Sequence, residues 1–251
     1  MNAPIAVVLA AGKGTRMKSD LAKVLFPVCG RPMIHFVLDA LEAAGVRRTI
    51  VVVGHQQEKV RETLQDRRNV DFVVQEQQLG TGHAVQVCRD NLSEHSGPVI
   101  VIAGDSPLIQ SSSLKTLLAE FESTGPALLQ GTLHKSDPTG LGRIVRDASG
   151  AFVGIVEEKD ASEAEKQITE VNMSTYIFQC DDLLDALGQL RQNNSQGEYY
   201  LTDCAALLRQ SGRKVEALPV LKDCESLSIN TQEELALVDA KMREMGYPCE
   251  S

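Results

Sequence analysis

The chain has 251 residues, of which 43% are hydrophobic, 4% are aromatic and none is tryptophan. This length and apolar content predict one sizeable core in a single domain, 1–251, and the scarcity of aromatic rings argues against the stacking platforms that bind single-stranded nucleic acid. The net charge of -9 likewise argues against an extended basic face for a polyanion, so nucleic acid is not an expected partner.

Strand-like and helix-like patterns alternate along the first half of the chain. Short β-branched runs predict strands at 5–9, 49–53, 71–74 and 98–102, and a helical pattern follows each of them, at 33–44, 56–64, 81–91 and 111–122. Four strand–helix repeats predict a Rossmann-like α/β fold, with a mixed, mostly parallel sheet and helices on both faces.

The pattern changes after Gly125. Strands are predicted at 127–133, 143–146 and 152–157, separated by turn signals, which indicates a partly antiparallel region. Helices at 181–190 and 199–210, a strand at 214–220 and an amphipathic helix at 232–245 complete the chain. No long linker or internal repeat interrupts this series, so the prediction stays at one domain.

Cysteine usage and the N-terminal segment bear on the compartment. The six cysteines form no C-x-x-C pair and have no histidine partners at zinc spacing, so we predict reduced thiols, with no disulfide scaffold and no structural metal. The early apolar run 5–11 is too short for a membrane span and lacks the charged lead of a signal peptide. A cytoplasmic protein with no membrane partner is expected.

The loop after the first predicted strand carries the first chemical signal. Residues 9–17 read L-A-A-G-K-G-T-R-M, and five basic residues face one acidic residue between 13 and 31. Small residues and two glycines allow backbone N–H groups to approach phosphate oxygens. An ordinary tight turn or a solvated basic loop is an equally open reading of this segment alone. The basic residues are Lys13, Arg16, Lys18, Lys23 and Arg31, and the acidic one is Asp20.

The whole run L-A-A-G-K-G-T-R-M, followed by S-D-L-A-K-V-L, resembles the signature of the nucleotide-sugar pyrophosphorylases. It is most similar to the N-terminal uridylyltransferase domains of bifunctional N-acetylglucosamine-1-phosphate uridylyltransferases. Further blocks of that resemblance are Q-L-G-T-G-H-A at 78–84, G-D-S-P-L at 104–108, D-P-T-G-L-G-R-I at 137–144, G-I-V-E-E-K-D at 154–160 and Q-G-E-Y-Y-L-T-D at 196–203.

This resemblance implies a nucleotide-diphospho-sugar transferase fold and a reaction between UTP and N-acetylglucosamine-1-phosphate. The sugar phosphate would attack the α-phosphorus in line and release pyrophosphate, with Arg16 and Lys23 as the catalytic cations and no protein nucleophile. The imidazoles of His35, His55 and His83 are therefore predicted to be packing or loop residues. The residues implied to bind the nucleotide are Leu9, Ala10, Ala11, Gly12, Lys23, Gln75, Gly80 and Thr81.

The resemblance also implies a Mg²⁺ site and a sugar site. Asp105 and Asn230 would be the metal ligands, since Mg²⁺ prefers oxygen donors and keeps positions for substrate phosphates; as isolated residues they also fit a turn and a helix cap. The sugar side would consist of Gly140, Glu157 and Asn172. Most of the acidic stretch 157–170 is expected to be a solvated face, with Glu157 as the exception.

Three departures from the family pattern make sugar specificity less certain than nucleotide chemistry. Ala22 stands where a proline usually precedes the lysine, Leu141 replaces an aromatic residue, and Met173 with Ser174 replaces a Thr-Gly pair. A pyrophosphorylase for another sugar-1-phosphate, or a catalytically weak nucleotide-sugar sensor, is therefore the alternative. No hexapeptide repeats of a left-handed β-helix acetyltransferase domain occur within 1–251, and a monomer or small homo-oligomer is expected.

Overall fold

A computed structural model describes residues 2–17 and 19–249, so Lys18 lies outside the described residues. The strands are β1 (Ile5–Ala10), β2 (Pro27–Val28), β3 (Arg31–Pro32), β4 (Arg48–Val53), β5 (Val70–Val74), β6 (Pro98–Ala103), β7 (Leu128–His134), β8 (Arg143–Arg146), β9 (Phe152–Val156), β10 (Glu170–Gln179) and β11 (Val215–Leu218). The helices are α1 (Ile34–Ala43), α2 (Gln57–Thr63), α3 (Thr81–Gln86), α4 (Arg89–Leu92), α5 (Ser111–Thr124), α6 (Cys180–Leu187), α7 (Asp203–Gln210) and α8 (Gln232–Glu244).

The central sheet has the strand order β11-β7-β10-β6-β1-β4-β5. Strand β1 pairs in parallel with β4 and β6, and β5 extends the parallel part beside β4. Strand β10 is antiparallel to both β6 and β7, and β11 is parallel to β7. The predicted mixed, mostly parallel sheet is thus confirmed.

Helices cover both faces of the sheet, as predicted. One buried cluster joins Val8 of β1 to α1 and α5, while another joins Val7 of the same strand to α3, α6 and α7. Adjacent residues of β1 point to opposite faces, and both faces are packed. A strand buried on both sides needs a continuous apolar run instead of an alternating one, which is the pattern observed at Ile5–Ala10.

The prediction missed β10, which is the longest strand. Its first half is polar in sequence, but Glu170, Asn172 and Thr175 are buried. Partners from other strands satisfy the first two: Arg146 and Thr132 donate to Glu170, and Gln130 donates to Asn172. The Thr175 hydroxyl donates to the carbonyl of Met173 within β10. The prediction was also wrong in making 81–91 one helix, because the chain leaves helical geometry between α3 and α4.

The C-terminal helix α8 packs on the β2–β3 hairpin, which the sequence patterns did not reveal. A third buried cluster contains Val28 and Met33 from the hairpin region together with Val238 and Met242 from α8. This packing brings Cys29 and Cys249, 220 residues apart in sequence, to a Cα–Cα distance of 4.1 Å, and they form a disulfide. The expectation that all thiols are reduced was therefore wrong for this pair, because sequence spacing does not reveal so distant a contact.

Among the described residues, no helix combines the length and apolar character needed to cross a membrane.

Candidate active site

A cavity of about 820 Å³ opens at the carboxyl ends of β1, β5 and β6. This is the edge where ligands bind in open α/β sheets. Eleven of the predicted site residues line this cavity although they are spread over more than 200 positions. They are Leu9, Ala11, Gly12, Arg16, Gln75, Gly80, Thr81, Asp105, Gly140, Asn172 and Asn230.

Three predicted residues are not part of the cavity wall. Ala10 is buried in the core with 2% of its surface exposed, so only its backbone is at the strand end. Lys23 reaches the edge through its ammonium group, as its contacts with two lining residues show. Glu157 lies behind the wall: its carboxylate accepts a hydrogen bond from Thr202 Oγ1 at 3.0 Å.

The ammonium of Lys23 joins the two predicted metal ligands. It donates to Asp105 Oδ2 and, at 2.6 Å, to Asn230 Oδ1. Arg16 Nη2 donates to the same amide oxygen at 2.9 Å. The Lys23 and Asp105 side chains are only 14% and 22% exposed. A carboxylate oxygen and an amide oxygen are therefore already gathered around one positive charge.

The start of α8 fixes the orientation of Asn230. Thr231 is the N-cap of the helix and forms a capping box with Glu234. The Glu234 carboxylate also accepts from the backbone N–H of Asn230 at 2.6 Å, and Asn230 Nδ2 donates to Ser228 Oγ. The amide nitrogen is thus used locally, which turns Oδ1 toward Lys23 and Arg16. Asn230 is not the cap itself.

The loop 75–82 forms the opposite end of the cavity. Gly80 has φ 106°, and a Cβ there would lie 2.6 Å from the carbonyl oxygen of Tyr199. The backbone N–H of Gly82 donates to that same carbonyl at 2.7 Å, and the N–H of Tyr199 donates to Leu79 at 2.8 Å. Only glycine allows this close approach with positive φ. Two sequence blocks, 78–84 and 196–203, therefore meet as one structural unit.

Asn172 is held in a fixed orientation at the predicted sugar end. Its Oδ1 accepts from Gln130 Nε2 at 3.0 Å and from the Ser174 backbone N–H at 2.8 Å, and its Nδ2 donates to the Tyr176 hydroxyl at 2.9 Å. One amide hydrogen is left for a ligand. Ser174 has φ 51°, a conformation that a glycine adopts without strain.

Glu157 carries an unusual electrostatic environment. Burial, reinforced by the nearby carboxylates of Asp203, Asp160 and Glu198, raises the pKa of Glu157, and the hydrogen bond from Thr202 only partly offsets this. This burial agrees with the prediction that Glu157, unlike most of the stretch 157–170, is not part of a solvated face. Glu163, in the same stretch, has a side chain that is 89% exposed.

Sequence reasoning gave no site role to several residues that line the cavity. Gln78 is the first residue of the family-like block 78–84. Its side chain donates to the carbonyl of Ala11 at 2.6 Å, which ties the segment after β5 to the loop after β1. Lys135 and Leu237 also line the wall, and Leu237 is 61% exposed. The position of Gln78 in a family-like block could have identified it as a site residue, whereas the sequence around Lys135 and Leu237 contains no comparable motif.

A family model described as the MobA-like NTP transferase domain matches residues 6–199. The chain belongs to this family. The match extends over the segments that supply the cavity from β1 to the loop beside Tyr199. It ends before Asn230, so the contact of Asn230 with Lys23 and the helix α8 lie beyond the matched part.

Similar known proteins include curated relatives and a solved structure. The bifunctional protein GlmU of Exiguobacterium sp. is 47% identical over 238 residues, which cover 95% of this chain and 52% of that protein. GlmU of Streptococcus mutans is 44% identical over 238 residues, covering 95% and 51%. The chain spans about half the length of these curated relatives. A UDP-glucose pyrophosphorylase structure complexed with UDP-glucose has a TM-score of 0.78 at 18% identity, covering 97% and 100%, and so shares the fold.

The donor set at Asp105 and Asn230 suits a hard divalent cation, the kind of metal that nucleotidyltransferases of this family generally use. The two oxygens already converge on one ammonium charge. Among residues 2–17 and 19–249, no cluster of three or more His, Cys, Asp or Glu side chains could hold a metal. A metal held by Asp105 and Asn230 would keep positions for water and phosphate oxygens.

Proposed function

We propose that this chain transfers the uridylyl group of UTP to N-acetylglucosamine-1-phosphate, giving UDP-N-acetylglucosamine and pyrophosphate, with Mg²⁺ as the metal. The curated relatives are named bifunctional, and this chain would correspond to their nucleotidyl-transferring half. The observation that carries the proposal is the convergence of Lys23, Asp105 and Asn230. These residues come from three distant parts of the sequence and meet at the sheet edge where the cavity opens.

The nucleotide would lie between the first loop and the loop 75–82. The backbone of Leu9, Ala10, Ala11 and Gly12 would face the nucleoside and its phosphates, because small residues there leave the N–H groups accessible. Gln75, Gly80 and Thr81 would contact the uracil and ribose. Gln78 would keep the two loops at a constant spacing through its hydrogen bond to the Ala11 carbonyl.

The sugar phosphate would lie toward Gly140 and Asn172. Gly140 has φ 81° with open space where a Cβ would be, so a sugar can approach the backbone closely. The free amide hydrogen of Asn172 would donate to a sugar oxygen. Glu157 would act as an acceptor for a sugar hydroxyl at the back of this pocket.

Asp105 and Asn230 would hold the Mg²⁺ ion. When bound, that ion supplies positive charge next to the phosphates of the nucleotide. Binding there requires Lys23 to release Asp105 and Asn230, which frees its ammonium for a phosphate oxygen. Arg16, on the same edge, would add a second cation through charge-assisted hydrogen bonds.

The reaction needs no protein nucleophile. A phosphate oxygen of the sugar substrate forms a bond to the α-phosphorus while the bond from that phosphorus to the β-phosphate bridging oxygen breaks, and pyrophosphate leaves with the electron pair. Arg16 and Lys23 would neutralise the charge that develops on the transferring and leaving phosphates. Catalysis would therefore come from positioning and electrostatics.

Pyrophosphate release by the purified chain tests the proposal. Mg²⁺, five nucleotides (UTP, CTP, GTP, ATP and dTTP) and two sugars (N-acetylglucosamine-1-phosphate and glucose-1-phosphate) would be assayed in every pairing. Release confined to UTP with N-acetylglucosamine-1-phosphate supports it. A preference for a different sugar would support the alternative pyrophosphorylase, which Leu141 and Met173 in the cavity wall favour. No release with any pair contradicts the proposal.

A further inference from the structure

The side-chain amide of Gln75 sits in an environment that fixes which of its ends faces the cavity. Gln75 is buried, with 4% of its surface exposed, and it lines the cavity. One end of the amide lies 3.1 Å from the carbonyl oxygen of Gly80 and 3.0 Å from Nδ1 of His83. A carbonyl can only accept a hydrogen bond, so this end must be the amide nitrogen, Nε2.

The orientation of Gln75 determines the tautomer of His83. Nε2 has two hydrogens, and Gly80 takes one of them. The other points to His83 Nδ1, which must be the unprotonated ring nitrogen in order to accept it. Rotating the amide by 180° would set two oxygens against each other at Gly80 and would also require the ring proton of His83 to move to Nδ1. Two contacts together therefore oppose the flip.

With both Nε2 hydrogens used, the other end of the amide is available to a ligand. Gln75 Oε1 makes no hydrogen bond to any of the described residues. An acceptor in this position favours a base that presents an N–H group. Where the acceptor faces position 3 of the base, uracil presents its imide N3–H, whereas cytosine presents a lone pair there, and two facing acceptors leave both unsatisfied.

We infer that His83 is a positioning residue that sets pyrimidine selectivity through Gln75. The inference rests on the proposed function and extends it, since it assigns the preference for a uracil-type edge to a histidine that is not part of the cavity wall. This replaces the sequence-based reading of His83 as a packing residue. His83 holds Gln75 in the orientation that matches a donor on the base.

The surroundings of His83 support a fixed position. Its ring stacks on Tyr199 with centroids 6.3 Å apart and an interplanar angle of 29°. Tyr199 is tied in turn to Leu79 and Gly82 by backbone hydrogen bonds of 2.8 and 2.7 Å. The imidazole thus belongs to the same rigid unit as the Gly80 carbonyl, and both acceptors keep their spacing to Nε2.

Two substitutions of His83 distinguish the effect of its hydrogen-bond acceptor from the effect of its aromatic ring. His83→Phe keeps an aromatic ring beside Tyr199 and removes the acceptor, while His83→Asn removes the ring and keeps an amide oxygen near the position of Nδ1. For wild type and both variants, KM and kcat for UTP and for CTP would be measured with N-acetylglucosamine-1-phosphate. Equilibrium binding of each nucleotide and thermal unfolding would be measured in parallel.

In His83→Phe, we expect the ratio of kcat/KM for UTP over CTP to fall by about tenfold, the value of one hydrogen bond. The loss should arise in KM and in nucleotide binding, with kcat for UTP nearly unchanged, because the contact lies at the base and not at the phosphorus. His83→Asn should recover most of the ratio. A purely structural role would lower thermal stability in both variants and leave the ratio alone.

The outcomes distinguish this inference from the proposed function. If wild type uses UTP and His83→Phe keeps the wild-type ratio, the role of His83 is refuted and the uridylyl transfer stands. If His83→Asn loses as much selectivity as His83→Phe, the acceptor argument is refuted. If wild type does not discriminate UTP from CTP, both the inference and the preference for UTP are refuted.

Discussion

Replacing Gly80 with alanine tests the close contact that shapes the nucleotide end of the cavity. At φ 106° and ψ 175°, a backbone region that is essentially restricted to glycine, an L-residue is strained by roughly 1–3 kcal/mol. The added Cβ would lie 2.6 Å from the Tyr199 carbonyl oxygen, about 0.8 Å short of the 3.4 Å at which ordinary contact begins. Backbone must move to relieve that overlap, and the hydrogen bonds Gly82–Tyr199 and Tyr199–Leu79 are the first to weaken, at about 1 kcal/mol each.

The combined cost of Gly80→Ala is therefore about 2–4 kcal/mol, which corresponds to a drop in Tm of roughly 5–15 °C for a domain of this size. Gly150→Ala is the matched control, because Gly150 has φ 82° but open space where the Cβ would be. Calorimetry on both variants separates strain in φ from steric overlap. Nucleotide affinity should fall in Gly80→Ala alone. Equal Tm values and equal affinities in the two variants would refute the steric argument.

Three further substitutions probe charges at and near the site. Asp105→Ala should abolish pyrophosphate release that depends on Mg²⁺ while leaving the Tm within a few degrees of wild type, as measured by calorimetry. Glu157→Gln should raise the free energy of unfolding at pH 7, because burial raises the pKa of this carboxyl and the folded wild type holds an unfavourable buried charge when the pH is above that pKa. The KM of this variant for the sugar phosphate should rise about tenfold. Glu170→Gln should cost roughly 1–3 kcal/mol in urea unfolding at neutral pH, because it breaks a bidentate pair with Arg146 whose two contacts are both 2.7 Å.

The Glu157 and Glu170 carboxyls change the folding stability of the wild-type protein with pH in opposite directions. Burial raises the pKa of Glu170, but the hydrogen bonds from Arg146 and Thr132 outweigh it and leave the pKa below 4.5. The stability contributed by Glu170 is thus present above the unfolded pKa and is lost as the pH falls through the folded value. For Glu157, burial raises the folded pKa above the unfolded pKa. Wild type should therefore lose stability as the pH rises from the unfolded pKa to the folded pKa of this carboxyl, and Glu157→Gln should not.

Each of these substitutions has a control elsewhere on the chain. Asp181→Ala changes an exposed carboxylate on α6 and should retain full turnover. Glu163→Gln neutralises an exposed member of the same acidic stretch as Glu157 and should leave both stability and KM unchanged. Asp71→Asn breaks a half-exposed ion pair with Arg48 and should cost less than Glu170→Gln. Retained turnover in Asp105→Ala would contradict the metal assignment, and stability equal to wild type in Glu157→Gln or Glu170→Gln would contradict the electrostatic reasoning.

Local sequence patterns predicted the parallel half of the fold because its signals are local. The strands β1, β4 and β6 are buried along almost their whole length, so each contains a continuous apolar run that can be read without knowing its partners. The edge strand β5 is only partly buried and contains Asp71, but four of its five residues are apolar. Most boundaries agree to within a residue or two. The loops that follow such strands lie at one edge by geometry, which agrees with the assignment of residues as distant as Gly12 and Asp105 to one site by the family resemblance.

In the antiparallel half, β7, β8 and β9 were predicted at their observed places, but β10 could not be predicted in the same way because its signals are distant. Glu170 and Asn172 look like surface residues until Arg146 and Gln130 are placed beside them. The pairing of Cys29 with Cys249 likewise depends on a contact between distant segments. The orientation of Gln75 belongs to this class too, since it follows from where the Gly80 carbonyl and the His83 ring lie.

Ala22 shows how packing can replace a covalent constraint at the site. A proline at this position would fix φ near -65° next to Lys23, a constraint that alanine does not impose. Ala22 nevertheless has φ -56° and ψ 133°, and it is fully buried. The folded chain thus adopts the backbone geometry that proline would impose, and the contacts of Lys23 with Asp105 and Asn230 hold its far end. The missing ring leaves the unfolded chain with more freedom, a cost of about 0.4–1 kcal/mol in stability. Ala22 therefore affects how stable the site is rather than where Lys23 points, so this departure from the family pattern does not by itself favour a catalytically weak sensor.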